Sequence, residues 1–453
     1  MPELPLSPKL PKTAGEEEKA VDLGPPRLSR PDRSQTRWGD IRLDDLIGLD
    51  HPARLVAAFV DRLDLSELVE AVRARAHGPG RNAIAPSLLL SLWVYAVIDG
   101  IGSARELARR CLDHHPYRWL CGGVGVNHHA LSDFRSGHVA LLDRLLTDSV
   151  TSLVADGLIQ VERLAQDGVK LRAWAGASSF RRRPRLEKLR KEVTQRVWAL
   201  RAELEDAPDA SIRRRKQRQE TAQRERLERV ELALDRMAKL EAAQKERGKR
   251  ERIDPKTGEE KQPRASTSDP EASRMAMPGG GFRPGWNVQL LGDPDSLAVV
   301  DVAVDDQSAD AGHMEPALRR MEERYGRRPS FHLADAGYCD HEDIAAVSRG
   351  GTVPLVPSNF EAKQGTKAYA PRRGDTPAVA LWRQAMQQDN ARRWYHARCQ
   401  IECVFAQWRN RGLTQVLVRG VRKVTAVVLL HALAQNFMVR CRLELRTVHT
   451  ATA

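Results

Sequence analysis

A long, highly charged segment at residues 181–262 constrains the fold of this chain more than any other feature. It holds 26 Lys and Arg against 17 Asp and Glu, an excess of nine positive charges. Its apolar residues keep helical spacing in two sets, which predicts two long antiparallel helices joined by a turn at Asp206–Asp209. The sets are Leu186, Leu189, Val193, Val197 and Leu200, then Leu227, Val230, Leu234, Met237 and Leu240. Because segments with strand character lie on both sides, we predict that this hairpin is an insertion within an α/β domain.

The chain as a whole is also basic, with a formal net charge of +13 over 453 residues. This charge favours a polyanionic partner, above all nucleic acid, over a soluble protein that is merely basic. For the hairpin itself two interpretations stay open. It is either a solvated charged hairpin or a basic clamp on a DNA backbone.

The sequence before the first strand indicates an all-helical N-terminal domain at residues 38–156. Residues 1–37 are rich in Pro, Lys, Arg and Glu and poor in large apolar residues, which predicts a disordered arm. The predicted helices are Pro52–Leu63, Leu65–Ala76, Pro86–Ile98, Ala104–Cys111 and Ala130–Asp156.

A turn at residues 99–102 separates the third and fourth of these helices. Gly100 and Gly102 favour the turn, and Ser103 can cap the helix that follows. Helix, glycine-containing turn and helix form the outline of a DNA-reading helix-turn-helix. An ordinary helical hairpin has the same outline, so both interpretations stay open.

Strands alternate with helices after residue 157, which predicts an α/β domain around one mixed sheet. The first strand is predicted over Leu158–Lys170 and is expected to end at Asp167-Gly168. After the charged segment come a strand hairpin, a helix, a strand that ends at Asp335, a helix and a strand. Their ranges are Trp286–Leu291, Leu297–Val304, Ala311–Tyr325, Phe331–Asp335, Asp340–Arg349 and Thr352–Val356.

The longest apolar run, at residues 424–439, predicts a buried helix rather than a membrane span. It is interrupted by His431, Gln435 and Asn436, and it is shorter than the roughly 20 residues that a span needs. The N-terminus has no apolar segment typical of a signal peptide. We therefore expect a cytoplasmic protein with no membrane partner and a short tail at 442–453.

Three carboxylates stand out by their positions. Asp167 and Asp335 are expected at strand ends, where ligands gather in open α/β sheets, and Glu402 lies on a predicted helix near the C-terminus. Taken singly, each aspartate could be a turn residue and Glu402 could form a surface ion pair. The rival acids, one of which could be an outer partner of the site, are Asp301, Asp305, Asp306 and Asp310.

Glu402 lies in residues 394–409, here called the signature segment. Tyr395, Arg398, Glu402, Phe405 and Arg409 follow one another at steps of three and four, so one helix would present them on one face. An acid between two guanidiniums suits a metal ligand whose neighbours grip phosphates. Tyr395 could bind a phosphate or stack on a base, whereas Phe405 could simply pack in the core.

Three hard oxygen ligands suit Mg²⁺ or Mn²⁺. Two such ions about 3.5–4 Å apart can activate a nucleophile and stabilise the leaving oxygen of a phosphodiester. The acids therefore favour phosphoryl transfer on nucleic acid.

The order of these motifs resembles that of bacterial insertion-sequence transposases of the DDE class. In the superfamily that the chain resembles, the last motif reads Tyr, two residues, Arg, three residues, Glu, six residues, Lys. Tyr395, Arg398 and Glu402 match this motif, and Arg409 stands where the family has Lys. That replacement keeps the charge but changes its geometry.

The two aspartate motifs and the helical domain extend the resemblance over roughly residues 38–440. The family's Asp-Gly-x-Lys is matched by Asp167, Gly168 and Lys170, and its Ala-Asp-x-Gly-Tyr is matched by residues 334–338. The family's N-terminal helical domain is similar to Pro86–Arg110 and Tyr117–Arg135.

The resemblance implies a ribonuclease H-like catalytic core at 157–180 and 263–441, interrupted by the helical insertion at 181–262. It further implies that the N-terminal domain binds DNA. Asp167, Asp335 and Glu402 would be the catalytic acids and would bind two Mg²⁺ or Mn²⁺ ions. Contacts to DNA and its phosphates would come from Lys170, Tyr395, Arg398 and Arg409.

The implied activity is DNA transposition by a homodimer in a synaptic complex. The protein would bind the terminal inverted repeats of its element, cleave a strand at each end, and join the ends to double-stranded target DNA. Two alternatives stay open: a domesticated or inactive relative that only binds DNA, and a metal-dependent nuclease of the same fold.

Overall fold

The computed structural model describes residues 24–34, 42–78, 80–206, 209–246, 258 and 262–451. Parts of four predicted regions lie outside these residues. They are the arm at 1–23 and 35–37, the N-terminal domain at 38–41 and 79, the charged segment at 207–208, 247–257 and 259–261, and the tail at 452–453.

Seven α-helices precede the sheet in the described part of the chain. They are α1 (Pro52–Val60), α2 (Ser66–Glu70), α3 (Pro86–Ile98), α4 (Ala104–Asp113), α5 (His115–Cys121), α6 (His128–Gly137) and α7 (Val139–Ala155). The predicted cap of α4 is confirmed, because the Ser103 hydroxyl accepts a hydrogen bond from the backbone N–H of Glu106. The single helix predicted over Ala130–Asp156 is wrong, since the chain leaves helical geometry at His138, between α6 and α7. The helix predicted at Leu65–Ala76 is only the short α2.

Residues 24–34, which were predicted as part of a disordered arm, are ordered. Strand β1 (Leu28–Ser29) pairs in parallel with β2 (Ala83–Ile84). The Asp32 backbone N–H donates to the Gly122 carbonyl at 3.1 Å, and the Arg33 guanidinium lies 4.8 Å from the Trp119 ring centre. Backbone pairing and a cation–π contact therefore hold a segment whose composition alone indicated disorder.

The remaining elements form the α/β part of the chain. The strands are β3 (Arg163–Arg172), β4 (Phe180–Arg181), β5 (Ala265–Ser266), β6 (Ser273–Ala276), β7 (Phe282–Gly292), β8 (Val299–Asp305), β9 (Phe331–Leu333) and β10 (Val353–Leu355). The helices are α8 (Arg183–Glu205), α9 (Ala210–Glu246), α10 (Met314–Tyr325), α11 (His341–Arg349), α12 (Glu361–Gln364), α13 (Pro377–Met386), α14 (Asp389–His396), α15 (Cys399–Asn410) and α16 (Val421–Ala451).

The predicted mixed sheet is present and is centred on β3. Its order is β10-β9-β3-β7-β6, with β8 also paired to β7. Strand β3 runs antiparallel to β7 and parallel to β9, and β9 runs parallel to β10. The prediction that the first strand ends at Asp167 is wrong, because β7 pairs with β3 from Ala165 to Arg172 and keeps Asp167 inside the strand.

The charged segment forms the predicted antiparallel pair of helices, α8 and α9. The Arg183 guanidinium near the start of α8 binds the Glu241 carboxylate near the end of α9, and Arg201 near the end of α8 binds Glu220. All five predicted apolar positions of α8 are buried. Strands β4 and β5 pair at the base of the hairpin and return the chain to the sheet.

Helix α16 joins the N-terminal helices to the sheet. It contacts α3, α6, α7 and β8, and one apolar core extends from Ile47 to Val439. By length and composition alone Val421–Leu445 could cross a membrane, but 72% of its most apolar window is buried inside the protein. Helix α16 continues to Ala451, so it includes most of the segment predicted as a tail from residue 442.

Candidate active site

The parallel pairing of β3 with β9 brings Asp167 and Asp335 to neighbouring positions. Ala165 of β3 pairs with Leu333 of β9, and each aspartate follows its partner of that pair by two residues. Asp335 keeps an extended backbone just past the end of β9, with φ −78° and ψ 176°. The two aspartates therefore leave the paired residues on neighbouring strands and lie close enough for the Asp335 charge to act on Asp167, although only Asp335 is at a strand end.

Each aspartate is held by a backbone N–H that follows it in the chain. Asp167 Oδ1 accepts from the Gly168 N–H at 2.9 Å, and Asp335 Oδ1 accepts from the Gly337 N–H at 2.8 Å. The second bond caps the short 3₁₀ turn at Ala336–Tyr338. These bonds fix one oxygen of each carboxylate.

The signature segment is not the single helix that its spacing predicted. The Ala397 N–H donates to the Trp394 carbonyl, and the Arg398 N–H donates to the Tyr395 carbonyl, each three residues earlier in the chain. These bonds end α14 before α15 begins. Arg398 therefore lies at the junction of two helices. Its guanidinium binds Glu402 Oε1 at 2.8 Å and lies 5.8 Å from the centre of the Tyr395 ring.

Helix α15 packs against the sheet through one apolar face. Ile401, Val404, Phe405 and Trp408 are buried, which confirms core packing for Phe405. A Cβ atom at Gly292 would lie 2.7 Å from the Ile401 side chain, so the glycine at the end of β7 allows this close approach. Glu402 lies at the edge of this buried face, with 56% of its side chain exposed.

Burial and neighbouring charges shift the ionisation of Asp167. Desolvation, together with smaller effects of the nearby Asp335 and Glu402 carboxylates, raises the pKa of this carboxyl to about 6. The Gly168 N–H and the Arg398 guanidinium act in the opposite direction. The three predicted acids and Arg398 are therefore close enough to influence one ionisation equilibrium.

A polar cluster that the sequence did not single out lies next to these acids. Asp310 Oδ1 accepts from Asn287 Nδ2 and from Gln289 Nε2, both at 2.8 Å. The Tyr338 hydroxyl donates to Gln289 Oε1, and Gln166 Nε2 donates to the same oxygen at 3.0 Å. Burial, then the charges of Asp310, Asp167 and Asp335, raise the pKa of Tyr338 well above its usual value.

One sequence feature could have predicted this cluster, namely a pair of polar residues at alternating positions of a buried strand. Asn287 and Gln289 point the same way from β7, and both are almost fully buried. Asp310 had been weighed only as one of four rival acids. The structure distinguishes Asp310 from the other three acids, because the side-chain amides of Asn287 and Gln289 bind its carboxylate beside Gly168.

Two predicted phosphate ligands lie away from the acids. Alternation along β3 directs Lys170 to the opposite face of the sheet from Asp167. Arg409 lies exposed in the last turn of α15, about two turns beyond Glu402. Of the basic residues predicted around the site, the structure brings Arg398 to the acids.

The donor atoms near β3 are hard oxygens, which fit a divalent cation. In the described part of the chain, however, no three His, Cys, Asp or Glu side chains converge closely enough to hold a metal ion. The Glu402 carboxylate is bound by Arg398. Asp167 and Asp335 offer carboxylate oxygens of the kind that such an ion binds, and Glu402 would join them only after leaving that ion pair.

A mixed sheet with two adjacent aspartates and a glutamate-bearing helix beside them defines an α/β protein with an acidic site suited to phosphoryl transfer. Comparison with known families is consistent with this class. A transposase domain of the DUF772 family matches residues 41–137, and a transposase DDE domain matches residues 253–437. No curated protein and no solved structure matches the chain significantly.

These two matches support an insertion-sequence transposase of the DDE class. The family that the sequence motifs predicted is therefore confirmed. The DDE match contains Asp335 and Glu402, whereas Asp167 lies between the two matched regions. Proteins with this domain form a nucleotidyl-transferase and endonuclease family that acts on DNA and depends in general on divalent metals.

Proposed function

We propose that this transposase binds the terminal inverted repeats of its own element, cleaves a strand at each end and joins the ends to target DNA. The observation that supports the proposal most is the parallel β3–β9 pairing, which ends two residues before Asp167 on one strand and two residues before Asp335 on the other. The same assignment is supported by the effect that the charges of Asp335, Glu402 and Arg398 have on the pKa of Asp167.

The catalytic core is proposed to be ribonuclease H-like. Support comes from three antiparallel strands, β8, β7 and β3, followed by two parallel strands, β9 and β10. The insertion at 181–262 leaves this sheet after β3 and returns before β6. The N-terminal helical domain at 38–156 is proposed to bind DNA, and α4 exposes Arg105 and Arg109.

The three acids are proposed to hold two Mg²⁺ or Mn²⁺ ions. Such ions would activate the attacking oxygen and stabilise the leaving oxygen of a phosphodiester. Asp167 and Asp335 would supply oxygens from adjacent strands. Glu402 would leave Arg398 to complete the set, and the freed guanidinium would then bind a phosphate with two parallel hydrogen bonds.

The chemistry comprises two displacements at phosphorus. In the first, a water oxygen attacks the phosphorus at the element end, its proton is lost, and the bond to the 3′ oxygen breaks to leave a 3′-hydroxyl. In the second, that hydroxyl attacks a target phosphorus, loses its proton and displaces the 3′ oxygen of the target strand. The protein contributes positioning and charge neutralisation. Tyr395 and Arg398 would serve these roles, and Lys170 and Arg409 would join them in the bound complex.

The remaining parts of the proposal concern the setting of the reaction. We expect two copies of the chain to act as a homodimer in a synaptic complex, because both ends of an element must be cut and joined together. We also expect the protein to work in the bacterial cytoplasm, at the nucleoid when bound to DNA, without a membrane partner.

The test is cleavage of labelled DNA that carries the element's terminal repeats, with Mg²⁺ or Mn²⁺. Asp167→Asn, Asp335→Asn and Glu402→Gln keep the shape of each side chain and remove its charge. We expect each to lower cleavage at least about 100-fold, or roughly 2.7 kcal/mol of barrier, while end binding is kept. Glu323→Gln, on the exposed side of α10, is the matched control and should cleave as wild type does.

The outcomes separate the alternatives. Cleavage that survives one of the three substitutions would show that this residue is not a required ligand. Binding without metal-dependent cleavage by the wild type would favour a relative that only binds DNA. Cleavage without joined products would favour a nuclease of the same fold.

A further inference from the structure

A groove of about 670 Å³ runs along the junction between helix α9 and the sheet. One wall is formed by the last turns of α9, and the other by the chain around β5 and β6 and by residues 306–309 after β8. The groove does not include any of the three predicted acids. It is therefore a feature separate from the candidate active site.

The long side chains that line this groove are predominantly basic. Lys239 comes from α9, Arg264 precedes β5 and Arg274 lies on β6, and all three are exposed. A fourth, Arg236, forms an ion pair with Asp306 on the opposite wall. Among the described residues no ion pair joins Lys239, Arg264 or Arg274 to a carboxylate, so their charges are available to an anionic ligand.

An exposed aromatic ring extends the basic end of the groove. A smaller cavity of about 180 Å³ adjoins it and shares Arg264 and Arg274. The Phe282 ring lines that cavity, is 59% exposed, and lies 5.0 Å from the Arg274 guanidinium. Guanidiniums next to an exposed ring are the combination with which proteins bind phosphates and stack bases.

The opposite end of the groove has the opposite charge. A cavity of about 340 Å³ there shares Arg236 and Lys239 but is also lined by Asp235, Glu271 and Asp305. These carboxylates repel a polyanion. The favourable path for one therefore starts at Phe282 and passes Arg264, Arg274 and Lys239.

A short loop connects this path with the acidic site. Residues 306–309 line the groove, and the next residue, Asp310, binds the β7 amides of Asn287 and Gln289. A Cβ atom on Gly168, the neighbour of Asp167, would lie 2.6 Å from Asp310 Oδ1. A Cβ atom on Gly337 would lie 3.8 Å from Asp310 Oδ2 and 2.9 Å from Asp335 Oδ1, so the loop leads from the groove to the Asp335 side of the acidic site.

We propose that this groove binds the sugar–phosphate backbone of a DNA strand on its way to the acidic site. Lys239, Arg264 and Arg274 neutralise successive phosphates, and Phe282 stacks on a base where the strand enters. The inference rests on the proposed function, since it identifies where that function engages its substrate. It also gives the helical insertion a role in substrate binding, through α9.

The first experiment compares two triple variants for binding to element-end DNA across a salt series. The groove variant carries Lys239→Gln, Arg264→Gln and Arg274→Gln. The control carries Lys188→Gln, Arg190→Gln and Lys191→Gln, which remove the same charge from exposed positions of α8. Each phosphate contact contributes about 0.7–0.9 to the slope of log K against log salt, so the groove variant should lose about 2–3 units of slope.

A second measurement uses the wild-type protein and so does not depend on whether a variant folds. Lysines are acetylated with and without bound DNA and quantified by mass spectrometry. We expect Lys239 to be protected at least several-fold by DNA, while Lys188 and Lys191 stay reactive. Protection of Lys239 together with the slope change would support the groove.

Failure of this inference is distinguishable from failure of the proposed function. If wild type cleaves the DNA but Lys239 stays reactive, or the control variant loses as much slope as the groove variant, the groove is not the binding path and the function stands. If wild type neither binds nor cleaves element-end DNA, the proposed function fails and the groove assignment with it.

Discussion

Gly168 is the residue whose size matters most at the acidic site. It separates Asp167 from the Asp310 cluster, and a Cβ atom there would lie 2.6 Å from both Asp310 Oδ1 and Gln289 Nε2. Real Cβ atoms do not come so close to polar atoms, and Gln289 is a buried strand residue whose side-chain amide is held by Asp310. Gly168 lies inside a strand, so its lack of a side chain serves this close packing and not a turn.

Gly168→Ala should separate Asp310 from Gln289 and disturb the neighbouring Asp167. We expect a loss of about 1–3 kcal/mol in the free energy of unfolding, as for other overpacked sites, together with weaker DNA cleavage. Chemical denaturation measures the first effect. Gly125→Ala is the control, because a Cβ atom there would meet nothing within 4 Å. Equal stability of the two variants would contradict the close packing.

The helical hairpin is the element whose behaviour depends least on the rest of the molecule. Leu186, Ala233, Met237 and Ala265 form a small apolar cluster of their own, apart from the main core. The hairpin joins the sheet region through this cluster, through the β4–β5 pair and through the contacts of Arg236 with Asp306 and Ser273. A defect in the cluster should therefore loosen the hairpin before it affects the sheet.

Met237→Ala is the substitution that tests this separation. Removing a side chain that is 1% exposed should cost about 2–5 kcal/mol, and the cost should be local. Native-state hydrogen exchange should show faster exchange in α8 and α9 and unchanged exchange in α16. Leu232→Ala on the same helix removes a residue that is 53% exposed and should change little. Uniform loss of protection across the whole protein would contradict a separate hairpin cluster.

At the scale of the whole molecule, α16 connects the helical N-terminal part to the sheet. Asn436 accepts a hydrogen bond from the Val299 N–H at 2.7 Å and donates to the Val299 carbonyl and to the Ser149 hydroxyl. One buried side chain thus links α16, β8 and α7. Asp269 holds the N-terminal end of α16, because its Oδ1 accepts a hydrogen bond from the Gly420 N–H just before the helix begins.

Asp269 gives the molecule a pH-dependent stability. Its side chain is fully buried, and desolvation raises its pKa to about 6. Because the folded pKa lies above the unfolded value, the carboxyl stabilises the fold below about pH 4, and this contribution is lost as the pH rises through 6. Asp269→Asn keeps an acceptor for Gly420 and cannot ionise. Between pH 4 and 8 it should gain up to about 3 kcal/mol relative to wild type in chemical denaturation. Parallel pH profiles for the two proteins would contradict this.

Local sequence patterns predicted an element correctly where its structure depends on its own residues, such as those on the buried face of a helix or at its cap. Leu186 to Leu200 predicted the buried face of α8, and Ser103 predicted the start of α4. Residues 24–34 and the interrupted signature segment were predicted wrongly. Their structure depends on partners distant in sequence, such as Gly122 for Asp32, or on a local hydrogen-bond pattern at Ala397 and Arg398 that helical spacing does not reveal.

The sequence by itself determined the basic character, the order of the acidic motifs, the helical insertion and the family that the motifs resemble. These properties depend on residue types and on spacing within single elements, which a chain carries before it folds. Only the tertiary structure decided that Asp167 lies within a strand beside Asp335, that Arg398 holds Glu402, and that Asp310 joins the site. Each of these depends on strand register or packing between segments far apart in the chain, and such pairing is set by the whole fold rather than by local preference.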